Sequence, residues 1–93
     1  MEIQIDPHTL ERAEERGAHE DEIEDVIQTG FPIEAKHRRL GKAKTYEFKR
    51  ERHHKYYEQK RVEVFYIIEA NIIVTVTVYV FYGKWERENE HSL

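Results

Sequence analysis

His8, Arg12 and Arg16 recur every four residues, the spacing that stacks side chains in one row along a helix. One imidazole and two guanidiniums in a row can hold a phosphate and move a proton beside it. His8 would stand near the positive end of that helix. A second group, His53, His54, Tyr56 and Tyr57 amid Lys49, Arg50, Arg52 and Lys55, interleaves cations with aromatic rings. That mixture suits single-stranded RNA, whose bases stack while its phosphates are neutralised. A third, Tyr79, Tyr82, Lys84 and Trp85, closes the last apolar run and would present a phenol, a cation and a stacking ring at a strand end. Each group also has a plainer reading. Arg12 and Arg16 can pair with neighbouring glutamates for about 0.2–0.5 kcal/mol a pair. The His53–Tyr57 stretch can be a solvated loop, and Trp85 with one of the tyrosines can be core.

Other chemistries find few residues. The only serine is Ser92, so no Ser-His-Asp arrangement is available. Gly41-Lys42 lacks the remaining glycines, the Ser/Thr and the following helix of a phosphate loop. With no cysteine there is no disulfide framework and no thiolate nucleophile. Adjacent histidines on a strand point to opposite faces, and no regular His/carboxylate spacing accompanies them, so neither a metal site nor a cofactor is expected. No apolar run suits a membrane helix, and Met-Glu-Ile-Gln-Ile-Asp has no signal-peptide pattern. The expected location is the cytoplasm.

Charge is segregated along the chain. Lys36 to Arg61 holds 11 of the 15 Lys and Arg against three acids, a formal charge of +8, whereas residues 1–35 carry −9 and residues 62–93 carry −3. A local basic block attracts polyanions whatever the overall charge. The alternative is a salt-bridged hairpin facing the protein's own acidic helices.

The elements that must position these groups follow from periodicity. Glu2 to Ile5 reads as a short strand. Asp6-Pro7 is a helix start, with Asp as N-cap and Pro at the first helical position. Leu10 and Ala13 form the apolar stripe, and Gly17 is a C-cap. A second helix runs from Glu20, with Ile23, Val26 and Ile27 inward and Gly30 closing it. Ala43 to Arg50 and Arg61 to Glu69 read as strands, with Glu51 to Gln59 as a loop or hairpin end. Ala70-Asn71 is a tight turn. Ile72 to Tyr82 is the strongest strand, with Val74, Val76, Val78 and Val80 expected on one face and Thr75, Thr77, Tyr79 and Phe81 on the other. The expected fold is α+β, in the order β-α-α-β-β-β, a helical hairpin packed on an antiparallel sheet. One domain over 1–85 is expected, with a mobile polar tail over 86–93. The face carrying Thr75, Thr77, Tyr79, Phe65 and Glu63 would be left open.

Pro7-His8-Thr9-Leu10-Glu11-Arg12-Ala13-Glu14-Glu15-Arg16-Gly17, with Ile23-Glu24-Asp25-Val26-Ile27 and Gly30, resembles the opening of a small bacterial domain-of-unknown-function family grouped with the RelE/ParE-like toxins, near the BrnT-type toxins. Val74-Thr75-Val76-Thr77-Val78-Tyr79 resembles that family's last strand. The resemblance implies a RelE-like fold and descent from endoribonucleases that activate a ribose 2′-hydroxyl with basic side chains and a Tyr, His or Glu. It carries over onto His8, Arg12, Arg16, Gly17, Gly30 and Tyr79 alone. His19 stands where the family often has a Ser-like helix cap.

Together these readings point to a toxin-like RNA-binding protein, with metal-independent endoribonuclease activity as its sharper form. The catalytic candidates are His8, His54 and Tyr79. The RNA-binding candidates are Arg12, Arg16, Lys44, Lys49, Arg50, Arg52, Lys55, Tyr56 and Tyr57. The partner would be RNA or the ribosome. The alternative is a non-catalytic interaction module that binds an acidic antitoxin-like protein or a second copy of itself.

Overall fold

Proline fixes φ near the helical value and lacks the N–H that a helix's first turn leaves unpaired. The chain accordingly enters its first helix at Pro7. In the computed structural model, which describes residues 1–85, helix α1 spans Pro7–Arg16. Its N-cap is Asp6, whose Oδ1 accepts hydrogen bonds from the backbone N–H groups of His8 (2.9 Å) and Thr9 (3.2 Å). The helix stops at Gly17, which takes a left-handed φ of 98° that glycine adopts with no Cβ penalty. Helix α2 spans Glu20–Thr29, with Glu20, Asp21 and Glu22 in its first turn, where the helix dipole favours negative charge. The Glu22 carboxylate also accepts from the His19 N–H (3.0 Å). The expected tail over 86–93 lies outside the described residues.

The strands are β1 (Glu2–Gln4), β2 (Phe31–Ile33), β3 (Leu40–Arg52), β4 (Lys55–Glu69) and β5 (Ile72–Gly83), in the sheet order β1-β5-β4-β3-β2. This is an α+β fold with two helices and a mixed five-stranded sheet. It departs from the expected order in two ways. Phe31–Ile33 adds a short edge strand on β3, with Pro32 at the edge, where a missing N–H breaks no ladder. The sheet is also not antiparallel throughout, because β1 runs parallel to β5. The first strand leads straight into a helix rather than a hairpin turn, so no local connection forces it antiparallel.

Two further expectations are settled by pairing. Of the loop or hairpin end expected over Glu51–Gln59, the hairpin is what forms. Strands β3 and β4 run on as a hairpin to a two-residue turn at His53 and His54, both at positive φ (53° and 68°), the twist that suits a tight hairpin. The face assignment along β5 also breaks. Phe65 pairs with Thr77 and Tyr66 with Thr75, so Val76 is an extra residue, a β-bulge. Beyond it the alternation reverses. The helix-facing set on β5 is Ile73, Thr75, Val78 and Val80, and Val74 and Val76 leave it. Thr75 is buried rather than on the open face, and its Oγ1 accepts from the Asp6 N–H (3.1 Å).

The core between helices and sheet is Ala13, Ala18, Ile23, Val26 and Ile27 against Val62, Val64, Tyr66 and Val78. Around it, polar side chains of the sheet cap the helix C-termini, where backbone carbonyls lack intrahelical partners. Arg52 donates to the Glu15 carbonyl (2.9 Å), Tyr82 to that of Arg16 (2.7 Å) and Lys60 to that of Gly17 (2.9 Å). Lys42 does the same for α2, at the Ile27 carbonyl (2.9 Å). Buried Lys60 also pairs with Glu22 (2.8 Å), and Lys44 pairs with Asp25 (2.7 Å). Two cations of the basic middle, Lys44 and Lys60, therefore neutralise acids of α2, and Lys42 and Arg52 cap helix carbonyls.

Candidate nucleic-acid interface

Strand β1 covers the edge of β5 only from Ile72 to Val74. Past that point the unpaired backbone would template another strand, and α1 closes it. The Thr9 hydroxyl donates to the Val76 carbonyl (3.2 Å) and the Arg16 guanidinium to the Val78 carbonyl (2.6 Å). These bonds hold α1 alongside β5 and set the row His8, Arg12 and Arg16 at the sheet margin. His8 and Arg12 are exposed, and Arg16 is half-buried.

Two clefts meet at this margin. The first, about 340 Å³, is lined by Asp6, His8, Thr9, Arg12 and residues Val76 to Val78. The second, about 180 Å³, lies on the open sheet face and is lined by Lys36, His37, Arg39, Phe65, Thr77 and Tyr79. Thr77 lines both. The second cleft exists because residues 36–39 form a tight turn with positive φ at His37 (61°) and Arg38 (62°), closed by a bond from the Arg39 N–H to the Lys36 carbonyl (3.2 Å). That turn brings cations against an aromatic patch. Phe65 and Tyr79 meet edge to face at 5.9 Å between ring centroids, and Tyr79 lies 6.3 Å from Phe81. Tyr79 and Phe81 are 44% and 45% exposed, which leaves ring surface free for stacking. The Arg16 guanidinium stands 5.6 Å from the Tyr79 ring and links the helical row to this patch.

Of the residues picked out from sequence, His8, Arg12, Arg16 and Tyr79 come together here. The others do not join them. Tyr79 pairs with Glu63, and Lys55 is eight positions farther along β4, which at roughly 3.3 Å per residue is about 26 Å. His54 lies beyond Lys55, at the hairpin turn, so His8, His54 and Tyr79 do not form one site. At the same hairpin end Arg50 stacks on Phe48 (4.9 Å), Lys55 lies 5.6 Å from the Tyr57 ring, and Tyr57 meets Tyr82 (5.5 Å). Tyr56 is exposed there, and Lys49 is 3.7 Å from Glu47. Lys44 and Arg52 are committed elsewhere. Lys44 binds Asp25 and Thr29 (2.8 Å), while Arg52 caps Glu15 and lies 4.9 Å from the Tyr82 ring.

Lys36, His37, Arg39 and Phe65 were absent from the sequence-derived site. The basic turn was visible only as part of a charge total, and its approach to Phe65 is a long-range contact. The groups with shifted pKa values mark structural positions instead. Hydrogen bonds from Lys44 and from the Tyr46 hydroxyl (2.6 Å) hold the Asp25 carboxyl at about 2, below its usual 3.8. Burial, then the Asp25 charge, pushes the Tyr46 phenol upward, and burial also raises Tyr82. Among the described residues no group of three or more His, Cys, Asp or Glu side chains could hold a metal ion, and no helix is long and apolar enough to cross a membrane.

Comparison with models of protein families, with curated proteins and with solved structures finds no match to this chain.

Proposed function

We propose that this protein binds single-stranded RNA along the margin of β5, as a cytoplasmic, toxin-like protein of RelE-like ancestry. The observation that carries the reading is Thr77, which joins a cleft lined by His8 and Arg12 to one lined by Lys36, His37, Arg39 and exposed Tyr79. Phosphates would lie against Arg12 at one end and against the basic turn at the other. Bases would stack on Tyr79 and Phe65, since every base offers a π-face to an aromatic ring. Two helices on one face of a sheet support a RelE-like arrangement as well.

The sharper form of the proposal is metal-independent cleavage. His8 takes the proton of a ribose 2′-hydroxyl, and the 2′-oxygen bonds to phosphorus. The P–O5′ bond breaks, and the departing 5′-oxygen takes a proton from water. The products are a 2′,3′-cyclic phosphate and a 5′-hydroxyl. Arg12 stabilises the extra charge on the phosphoryl oxygens. A general base contributes about 10²–10⁴-fold in rate, so His8→Ala should nearly abolish cleavage of a labelled RNA while binding persists. Cleavage unchanged in both His8→Ala and Tyr79→Phe would remove the catalytic assignment.

The exposure of Tyr79 and Phe81 also favours a second reading, a non-catalytic module that docks a protein on the open face. Fluorescence anisotropy with labelled oligouridylate at low salt separates the two. RNA binding that Arg12→Ala and Arg39→Ala weaken supports the first, and no RNA binding at any ionic strength leaves the second.

A further inference from the structure

We infer that the tip of the β3–β4 hairpin is a second contact surface for the same RNA strand, so that affinity depends on RNA length. This rests on the reading above. Strand β5 ends at Gly83 opposite Gln59, and past a register shift at Glu58 the strand β4 pairs with β3 alone, from Tyr57 to Lys55. The hairpin thus projects past the sheet as a two-stranded finger, and its short turn at His53 and His54 keeps the two strands paired to the last residue. The finger carries Arg50, Lys55 and Tyr56, all exposed. Neither Arg50 nor Lys55 is ion-paired to a described residue, and both lie over aromatic rings. A cleft of about 340 Å³ runs along the finger and is lined by Lys55, Tyr56, Tyr57, Glu58, Tyr82 and Lys84 among others. Cations interleaved with rings are the chemistry of single-strand binding, and they recur here about 26 Å from Tyr79, by strand rise. Stacked nucleotides advance roughly 3.4 Å each, so about eight would bridge the two surfaces. One strand touching both makes the second contact intramolecular and tightens binding without any change at the first.

The test uses tetra-, octa- and dodecauridylate, each fluorescein-labelled, with the full chain and with Arg50→Ala/Lys55→Ala/Tyr56→Ala. Arg50→Gln/Lys55→Gln is a milder second variant, and circular dichroism checks that both fold. Wild type should bind the tetramer through the β5 margin and the dodecamer at least about tenfold more tightly. The slope of log affinity against log salt should steepen by about 0.7 for each added phosphate contact. The tip variants should keep tetramer affinity and lose the gain with length. An equal gain in wild type and folded variants, or no gain in wild type, would overturn the inference and leave the β5-margin site standing. Tetramer binding lost in the tip variants but kept in Arg12→Ala and Arg39→Ala would overturn both. Tip-dependent binding of a polyglutamate peptide that excludes RNA would show an acidic protein to be the occupant.

Discussion

Placing one carboxylate at two adjacent positions of β5 gives opposite outcomes, and the bulge at Val76 decides which. Thr75 is 3% exposed, lies opposite buried Tyr66, and its hydroxyl oxygen accepts the N–H of the helix cap Asp6. Thr75→Asp buries a charge where the native hydroxyl accepts a single N–H. An uncompensated buried charge costs about 3–5 kcal/mol, a large part of the roughly 5–15 kcal/mol that stabilises a domain. At about 4–8 °C per kcal/mol for a chain of this size, the melting temperature should fall by about 12 °C or more. Thr75→Val keeps the volume and deletes only the acceptor, a loss of about 1 kcal/mol. Val76 is the bulged residue, half-buried and open to the cleft that holds His8 and Arg12. Its structural contribution through hydrogen bonding is its carbonyl, which Thr9 binds whatever the side chain. Val76→Asp should therefore cost no more than about 1 kcal/mol, and its new charge beside Arg12 should weaken RNA binding. Thermal melts followed by circular dichroism give the order. A larger loss for Val76→Asp than for Thr75→Asp would mean that β5 alternates without a break, and the packing described here would be wrong.

Two other perturbations probe the joints between helices and sheet. An added Cβ at Gly17 would fall on the Tyr82 hydroxyl at a left-handed φ. Gly17→Ala should thus cost about 1–2 kcal/mol for the backbone and more for displacing Tyr82, and part of that cost should vanish in the Tyr82→Phe background. Double-mutant stabilities that add within about 0.5 kcal/mol would contradict the clash. Asp25, lowered from 3.8 to about 2 by Lys44 and then Tyr46, has a folded value below its unfolded one, so its contribution is present above about pH 4 and is lost as pH falls toward 2. The Asp25 side chain is more than a third exposed, so solvent screening limits the contribution to about 1 kcal/mol. Melts of wild type and Asp25→Asn should converge over that window, and a constant gap down to pH 2 would refute the pairing.

Much of the fold was legible because it is set locally. Asp6-Pro7, Gly17 and Gly30 mark the helix ends through capping chemistry, and Ala70-Asn71 marks its turn. The turns at His53-His54 and His37-Arg38 carry no Gly or Asn, so only the weaker preference of His for positive φ marks them. The bulge at Val76 sits inside an unbroken Val-Thr alternation and arises from pairing with Phe65 and Tyr66, a long-range fact. The same holds for β1 against β5. At the site, the i, i+4 spacing placed His8, Arg12 and Arg16 in a row correctly. The meeting of Tyr79 with Phe65 and His37 depends on sheet register. A charge total over Lys36 to Arg61 could not tell Lys60, which caps a helix, from Lys36, which faces solvent.

The most direct test of the central claim is a map of where a short RNA touches the protein. Tetrauridylate titrated into ¹⁵N-labelled protein at low salt should shift the backbone amides of Thr77 and Tyr79 and of residues 36–39, together with His8 and Arg12. The amides of the acidic first turn of α2, Glu20 to Glu22, should stay in place. Shifts confined to other surfaces, or none at saturating RNA, would contradict the account.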